Sequence, residues 1–444
     1  MLGLNIAIAL LIAVTAGRFG HGLNQALTGA CAGVKVGNND CGSDFPGCNT
    51  LSHSFHLLMG NLGEDSWWPM QEAFNYWSKY PDDKPIYSAL LIDGNTRFQY
   101  PPSTLLIPLL LVTFRANQEQ FYFLMTYFCL ASTAIATSAI ALYSLREFGK
   151  TLLSRNEKLL FLVIISLLTL TYYPIVKAST LGQIQVWLTA AFAISLCCYL
   201  SGRHTLAGIM VGLMASVKPQ YGIFILWGII RRDKQFVLAS LGTIGVSSII
   251  GASVFGMSTY FDYLQGLGYL SRHGEAFYAN QSVNGLANRI FSIYQPELYP
   301  NTGFGAFPPY NPWVYYPTII TGIVILVTCL LVGRNKQTYG RGADYCLMAL
   351  GVTIASPIAW EHHYGILFPV FAFLWPLLWF GNTFAESHRS RLVFVICFLL
   401  SSNFISTINI LAPTFLNFLQ SYLLFAALGV FVLLLNVRRR CDVA

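Results

Sequence analysis

Charged side chains are scarce in this sequence: Asp, Glu, Lys and Arg together make up 10% of its 444 residues. Soluble globular domains carry about 25%, so the composition excludes that class. Apolar residues reach 55%, and the mean hydropathy is +0.55. The net charge of +7 comes from short basic clusters between apolar runs, which is typical of loops that face anionic lipid. We therefore expect membrane lipids, and no nucleic acid, as partners.

The familiar short motifs of soluble enzymes are also absent: there is no HExxH, GxSxG, P-loop or dinucleotide fingerprint. The adjacent His362 and His363 would point to different faces of a helix, whereas zinc on a helix needs an i, i+4 pair. Of ten cysteines, Cys31, Cys41 and Cys48 fall in one polar loop, where one disulfide is possible but the spacings fit no zinc site. We expect no metal and no cofactor.

Long apolar runs dominate the rest of the chain. A helical span needs about 20 apolar residues, and residues 2–16 form a first run without the basic start or cleavage site of a secretory signal. We therefore prefer an uncleaved span to a signal peptide there. Including it, about twelve runs recur, the later ones near residues 119–145, 158–174, 183–200, 205–217, 219–230, 236–256, 313–333, 343–359, 364–380, 392–411 and 415–437.

The predicted fold is an all-α polytopic membrane protein with a single domain, residues 1–444, and about twelve transmembrane helices. Residues 18–102 form a first outer loop, and residues 257–312 form a second. The apolar segment STLLIPLLLVTF, before Arg115, is short for a span and predicts an interfacial or re-entrant helix. Because counting it as a span would place the later basic clusters outside, the positive-inside rule supports this assignment.

With the N-terminus inside, most Lys and Arg residues fall in cytoplasmic loops. The same orientation places the polar junctions together on the outer face, beside the acidic first loop. These junctions are residues 173–185, 218–220, 257–312 and 356–364. The functional site is therefore expected on the outer face.

Asp65 is the leading candidate for a catalytic carboxylate in the first loop. An acid before a helix-like stretch is also favoured as an N-terminal cap, so that alternative stays open. Asp44 is a rival, whereas Asp82, Asp83 and Asp93 suit turns.

Three basic groups accompany this carboxylate on the outer face. Lys218 lies between two short spans, where it either snorkels to the interface or binds a lipid phosphate. Arg289 follows Gln281 in an amide-rich loop, where a guanidinium suits a phosphate or sugar if it is not simply solvated. One imidazole of His362 or His363 suits a phosphate or a sugar hydroxyl.

Five segments then resemble a known family in their order: FQYPPSTLLIPLLL, LGQIQVWL, SVKPQYG, NQSVNGLANR and SPIAWEHHYG. Together with the acidic loop they resemble glycosyltransferase family 87, polytopic mannosyltransferases of the GT-C class, over roughly residues 60–375. The resemblance implies a GT-C fold with surface-lying helices in the outer loops. It also implies transfer of a hexose, typically mannose, from a polyprenyl-phosphate donor to a lipid-linked or glycan acceptor, with inversion at the anomeric carbon.

The resemblance assigns the catalytic role to Asp65, about 35 residues before Tyr100. The outer-face residues expected to bind substrate are Tyr100, Gln183, Lys218, Gln281, Arg289, His362 and His363. Which histidine corresponds to the family's functional one stays open, and the insertion at residues 31–62 departs from the family pattern. The expected location is the cell (inner or plasma) membrane, with the active site on the periplasmic or extracytoplasmic face.

A transporter or lipid flippase is the main alternative from another class. Such proteins place ionisable residues near the bilayer midplane. Here the predicted spans are almost free of charge in their middles, and the polar residues gather at one end, which favours an enzyme at the membrane surface. A GT-C enzyme that glycosylates proteins is a second alternative.

Overall fold

The computed structural model describes residue 9 and residues 50–80, 85–94, 96–148, 153–301, 307–331, 338–380 and 388–443, and these are almost entirely helical. Within them no β-strand forms, and Asn280 and Trp360 make an isolated antiparallel bridge. Six residues considered above lie outside the described residues, as does the first apolar run at residues 2–16: Cys31, Cys41, Asp44, Cys48, Asp82 and Asp83.

The α-helices, in chain order, are α1 (Thr50–Leu58), α2 (Trp67–Lys79), α3 (Leu106–Thr113), α4 (Gln118–Phe148), α5 (Arg155–Thr171), α6 (Tyr173–Thr180), α7 (Gln185–Leu200), α8 (His204–Val217), α9 (Ile223–Ile230), α10 (Lys234–Phe255), α11 (Met257–His273), α12 (Val283–Ser292), α13 (Pro312–Leu331), α14 (Thr338–Ile354), α15 (Leu367–Phe380), α16 (His388–Ser401) and α17 (Tyr422–Val443). Short 3₁₀ helices include Pro102–Leu105, Pro219–Gly222, Glu361–Ile366, Ser406–Leu411 and Asn417–Ser421, and Ser88–Asp93 is π-helical.

Five helices of the described chain are long and apolar enough to cross a membrane, or six if a bent pair counts as one span. They are Gln118–Glu147, Lys234–Phe255, Pro312–Leu331, Glu361–Phe380 and Asn417–Arg439, and the bent pair is α5 with α6. The chain is therefore a multi-pass membrane protein by length and composition, and the twelve-span count stays a prediction.

Short helices, which the sequence analysis counts as separate spans, account for part of the difference between the two counts. The run from α8 to α9 is interrupted at Lys218, because Pro219 lacks the N–H that would continue the helix. Its two halves, His204–Val217 and Pro219–Ile230, are each shorter than 18 residues. The segment Pro102–Thr113 is likewise a short apolar helix, which confirms the prediction that it is too short to be an ordinary span.

Helix α15 lies at the centre of the packed core, and each of its residues is buried. A helix that is apolar all round lies either in the protein core or in lipid, and α15 lies in the core, where it packs against α4 and α16. Its aromatic side chains meet those of α16 edge-on, as in Phe371 against Phe394, with ring centroids 5.1 Å apart.

Loops assigned to the cytoplasm by the sequence carry their own ion pairs. Arg231 donates from two nitrogens to the Asp344 carboxylate, at 2.9 and 2.7 Å. It also donates to the carbonyl of Leu330 at 2.7 Å, near the end of α13. His204 pairs with Asp233. These contacts fasten helix ends together, and they are separate from the cluster described next.

Candidate active site

The loop before α2 is fixed by backbone pairing with the turn after α6. Gly63 N–H donates to the carbonyl of Thr180 at 2.7 Å, and Asp65 N–H donates to that of Leu181 at 2.9 Å. Gly182 allows this approach: its φ is +67°, and a Cβ there would lie 1.8 Å from the Gly63 carbonyl oxygen. The first loop and the junction at residues 173–185 therefore meet, as the sequence predicted.

The Asp65 side chain is exposed and accepts a hydrogen bond from the amide nitrogen of Gln183. Ser66 orients that amide, because its hydroxyl donates to Gln183 Oε1 at 2.8 Å. The Ser66 hydroxyl has one proton, so the Tyr100 hydroxyl, 2.9 Å away, donates to it. Burial raises the pKa of Tyr100 and keeps this donor protonated.

The capping alternative for Asp65 does not fit this geometry. Helix α2 begins at Trp67, and its N-cap residue is Ser66. Asp65 therefore lies one position before the cap. Its carboxylate is held by Gln183, from a distant part of the chain, and not by the helix that follows it.

Lys218 joins two other predicted segments. Its ammonium group lies 2.9 Å from Gln185 Oε1 and 2.7 Å from His363 Nε2. Because Gln185 follows Gln183 by two residues, the basic pair is connected through one short segment to the Asp65 carboxylate. The structure thus brings together Asp65, Gln183, Lys218 and His363.

Of the two histidines, His363 is the one that contacts Lys218. Its other ring nitrogen, Nδ1, accepts from the backbone N–H of Trp360 at 3.2 Å. His362 is 2% exposed, and its Nδ1 has no hydrogen-bond partner within the described part of the chain. Its ring centroid lies 4.7 Å from that of His363. Both ring nitrogens of His363 therefore have hydrogen-bond partners, whereas Nδ1 of the adjacent His362 has none among the described residues.

Gln281 and Arg289 are placed differently, inside the second loop. The Gln281 amide donates to the carbonyls of Tyr278 and Gln420, each at 2.7 Å. Arg289 is fully buried and donates to the carbonyls of Phe277 and Asn280 at 3.2 and 2.9 Å. Arg289 therefore braces the loop against its own backbone, and Gln281 also ties it to the 3₁₀ helix Asn417–Ser421; direct contact with substrate stays a prediction for both.

Comparison with known proteins identifies the family of this chain. The profile of glycosyltransferase family 87 matches residues 98–357. The chain belongs to glycosyltransferase family 87. Tyr100, Gln183 and Lys218 lie within the matched part, together with Gln281 and Arg289. Asp65 precedes that part, and His362 and His363 follow it.

Two curated relatives are mycobacterial enzymes. The first is a polyprenol-phosphate-mannose-dependent alpha-(1-2)-phosphatidylinositol mannoside mannosyltransferase of Mycobacterium tuberculosis, 22% identical over 306 residues, which are 67% of each chain. The second is a polyprenol-phosphate-mannose-dependent alpha-(1-2)-phosphatidylinositol pentamannoside mannosyltransferase of Mycolicibacterium smegmatis, 29% identical over 207 residues, 45% of each chain. These alignments show similarity to part of each relative.

Sequence reasoning missed a buried ion pair of this glycosyltransferase. Glu361 accepts hydrogen bonds from Lys177, from Tyr173 at 2.9 Å and from Tyr422 at 2.9 Å. Lys177 and Glu361 are 3% and 0% exposed. The available signal was one lysine and one glutamate in two junctions predicted to meet, since charges buried in a membrane protein are normally paired.

A second missed group links Arg97, Glu275 and Trp360. Arg97 pairs with Glu275 at 3.1 Å, and the Trp360 indole N–H donates to the same carboxylate at 2.7 Å. Burial raises the pKa of Glu275; Arg97 opposes the shift, and the nearby charge of Asp65 adds to it. The group therefore lies within electrostatic reach of Asp65, and Trp360 connects it to His363.

No group of three His, Cys, Asp or Glu side chains suited to a metal ion occurs among the residues that the structure describes. The chemistry available in this cluster is that of an exposed carboxylate, connected through residues 183–185 to a lysine and an imidazole.

Proposed function

We propose that this family 87 enzyme transfers mannose from a polyprenyl-phosphate donor to a hydroxyl of a lipid-linked or glycan acceptor, with inversion at the anomeric carbon. One observation carries the proposal: the exposed Asp65 carboxylate is joined through residues 183–185 to the Lys218–His363 pair. The names of both relatives, which specify polyprenol-phosphate mannose, support the choice of donor.

Asp65 acts as the general base in this scheme. The acceptor hydroxyl attacks the anomeric carbon of the donor sugar, and its proton passes to the Asp65 carboxylate as the new C–O bond forms. Attack from the face opposite the phosphate inverts the configuration. Gln183 holds the carboxylate in place, and because Asp65 is exposed, an acceptor can approach it.

Negative charge develops on the phosphate of the donor as it leaves. When the bond between the anomeric carbon and the phosphate oxygen breaks, the polyprenyl phosphate leaves with one more negative charge than it had in the donor. Lys218 and His363 stabilise that charge by hydrogen bonding. This assignment uses the basic pair and does not require Arg289.

The placement of this site in the membrane belongs to the same proposal. We assign the site to the outer face, within a GT-C arrangement of about twelve spans, since the junctions that the positive-inside rule puts outside are the ones in mutual contact. Membership of a glycosyltransferase family favours the enzyme function over the alternative of a transporter or lipid flippase.

A donor panel tests the function. Purified enzyme in lipid nanodiscs would receive a lipid acceptor and either polyprenyl-phosphate mannose, polyprenyl-phosphate glucose or GDP-mannose. We expect mannose transfer, with release of polyprenyl phosphate, from the first donor alone. Transfer from GDP-mannose, or equal transfer of glucose, would contradict the proposal.

A further inference from the structure

The contacts of Lys218 and His363 fix where their protons lie. The backbone N–H of Trp360 points at His363 Nδ1 at 3.2 Å, so Nδ1 must be the unprotonated nitrogen of the ring. A neutral imidazole then carries its single proton on Nε2. That nitrogen lies 2.7 Å from Lys218 Nζ, so the imidazole donates and the lysine nitrogen accepts.

An ammonium group has three donors and no lone pair, so Lys218 can accept this hydrogen bond only as a neutral amine. One of its own N–H groups still donates to Gln185 Oε1, 2.9 Å away. The opposite assignment, with a charged Lys218 donating to Nε2, would place a proton on Nδ1 facing the N–H of Trp360. The geometry therefore selects an uncharged pair.

We propose that Lys218 and His363 form an uncharged pair which, on binding a phosphate, takes up one proton, so that an ammonium and an imidazole N–H both donate to the anion. This inference rests on the proposed function, because it names the state of the donor site before and after the phosphate enters. The proton comes from solvent and resides on Lys218 Nζ in the complex.

The surroundings of Lys218 support this charge state. The carboxylates on neighbouring segments are bonded elsewhere: Glu361 to Lys177, Glu275 to Arg97, and Asp65 to Gln183. Besides Glu361, the adjoining turn holds His362 and His363, neither of which supplies negative charge. Burial without a counter-ion lowers the pKa of Lys218 to about 7.

A bound phosphate would supply the missing counter-charge. It raises the pKa of Lys218, since an opposite charge at hydrogen-bond distance favours the ammonium form. Free enzyme above pH 7 then has to gain a proton to bind, whereas free enzyme below pH 7 already carries it. Phosphate affinity is therefore expected to fall as the pH rises through 7 and beyond.

Titration calorimetry with farnesyl methyl phosphate tests the inference. This probe is a phosphodiester, so its phosphate does not change protonation between pH 6 and 8. A monoester would, because its second pKa is about 6. Repeating the binding in buffers with different ionisation enthalpies counts the protons exchanged. With a pKa of about 7, uptake should rise from about 0.1 proton at pH 6 to about 0.9 at pH 8.

Two variants assign the proton to its residue. Lys218→Arg keeps a permanent charge, so it should bind the probe without proton uptake at pH 8. Lys234→Arg, at the exposed start of α10, is the matched control and should retain wild-type uptake. Binding of the probe with no uptake by the wild-type enzyme at pH 8, or uptake that persists in Lys218→Arg, would overturn the inference alone. Absence of any binding would overturn the donor site as well.

Discussion

The buried pair of Lys177 and Glu361 should be worth more to stability than any exposed charge of this enzyme. Replacing Lys177 by Met removes a charge-assisted hydrogen bond and leaves Glu361, within the described part of the chain, with the hydroxyls of Tyr173 and Tyr422 as its donors. Leaving one partner of a buried pair uncompensated typically costs about 3–5 kcal/mol. The ammonium also lies 5.6–5.9 Å from the ring centroids of three aromatic residues, a contact that Met does not restore.

A double-mutant cycle measures this coupling. Thermal midpoints in detergent would be compared for Lys177→Met, Glu361→Gln and the double variant, with the exposed Lys79→Met as the control for a lysine change. We expect both single variants to be strongly destabilised, the double variant to recover most of the loss, and Lys79→Met to stay within about 0.5 kcal/mol of wild type. Additive losses in the double variant would refute the pairing.

Three further predictions concern the site and its orientation. Lys218→Ala should weaken donor binding by roughly 1.5–3 kcal/mol, and His363→Ala should weaken it less. Arg289→Ala should mainly lower the thermal midpoint. Wild-type donor affinity in both Lys218→Ala and His363→Ala would contradict the donor site. Gly182→Ala should reduce turnover without removing the protein from the membrane, because its Cβ would meet the Gly63 carbonyl and displace Asp65; wild-type turnover would contradict this. In a cysteine-free background, an impermeant thiol reagent on whole cells should label a cysteine at the exposed Asn61 and not one at Arg203, and the reverse result would invert the topology.

The meeting of the polar junctions was predictable because it depends on topology. Charge bias placed the junctions on one face, and contacts such as Asp65–Gln183 and Lys218–His363 confirm that they meet. The short helix Pro102–Thr113 was predictable for a related reason, since its length is readable from the sequence.

The roles of individual side chains within the loops were less predictable. Arg289 stands in an amide-rich loop in the sequence, but its Nη1 donates to two carbonyls of that same loop, and no local sequence pattern predicts such a contact. The Lys177–Glu361 pair was missed for a similar reason: the two residues are far apart in sequence, and only the packing of α6 against the turn at Glu361–Ile366 joins them.

Turnover of Asp65→Asn tests the central claim most directly. Asparagine keeps the size of the side chain and an oxygen for the Gln183 amide, but it lacks the basic site that takes the acceptor proton. Compared with wild type and with the neighbouring exposed control Glu64→Gln, Asp65→Asn should transfer mannose about 10²–10⁴-fold more slowly, with donor affinity unchanged. Full turnover by folded Asp65→Asn would contradict the assignment of Asp65 as the general base.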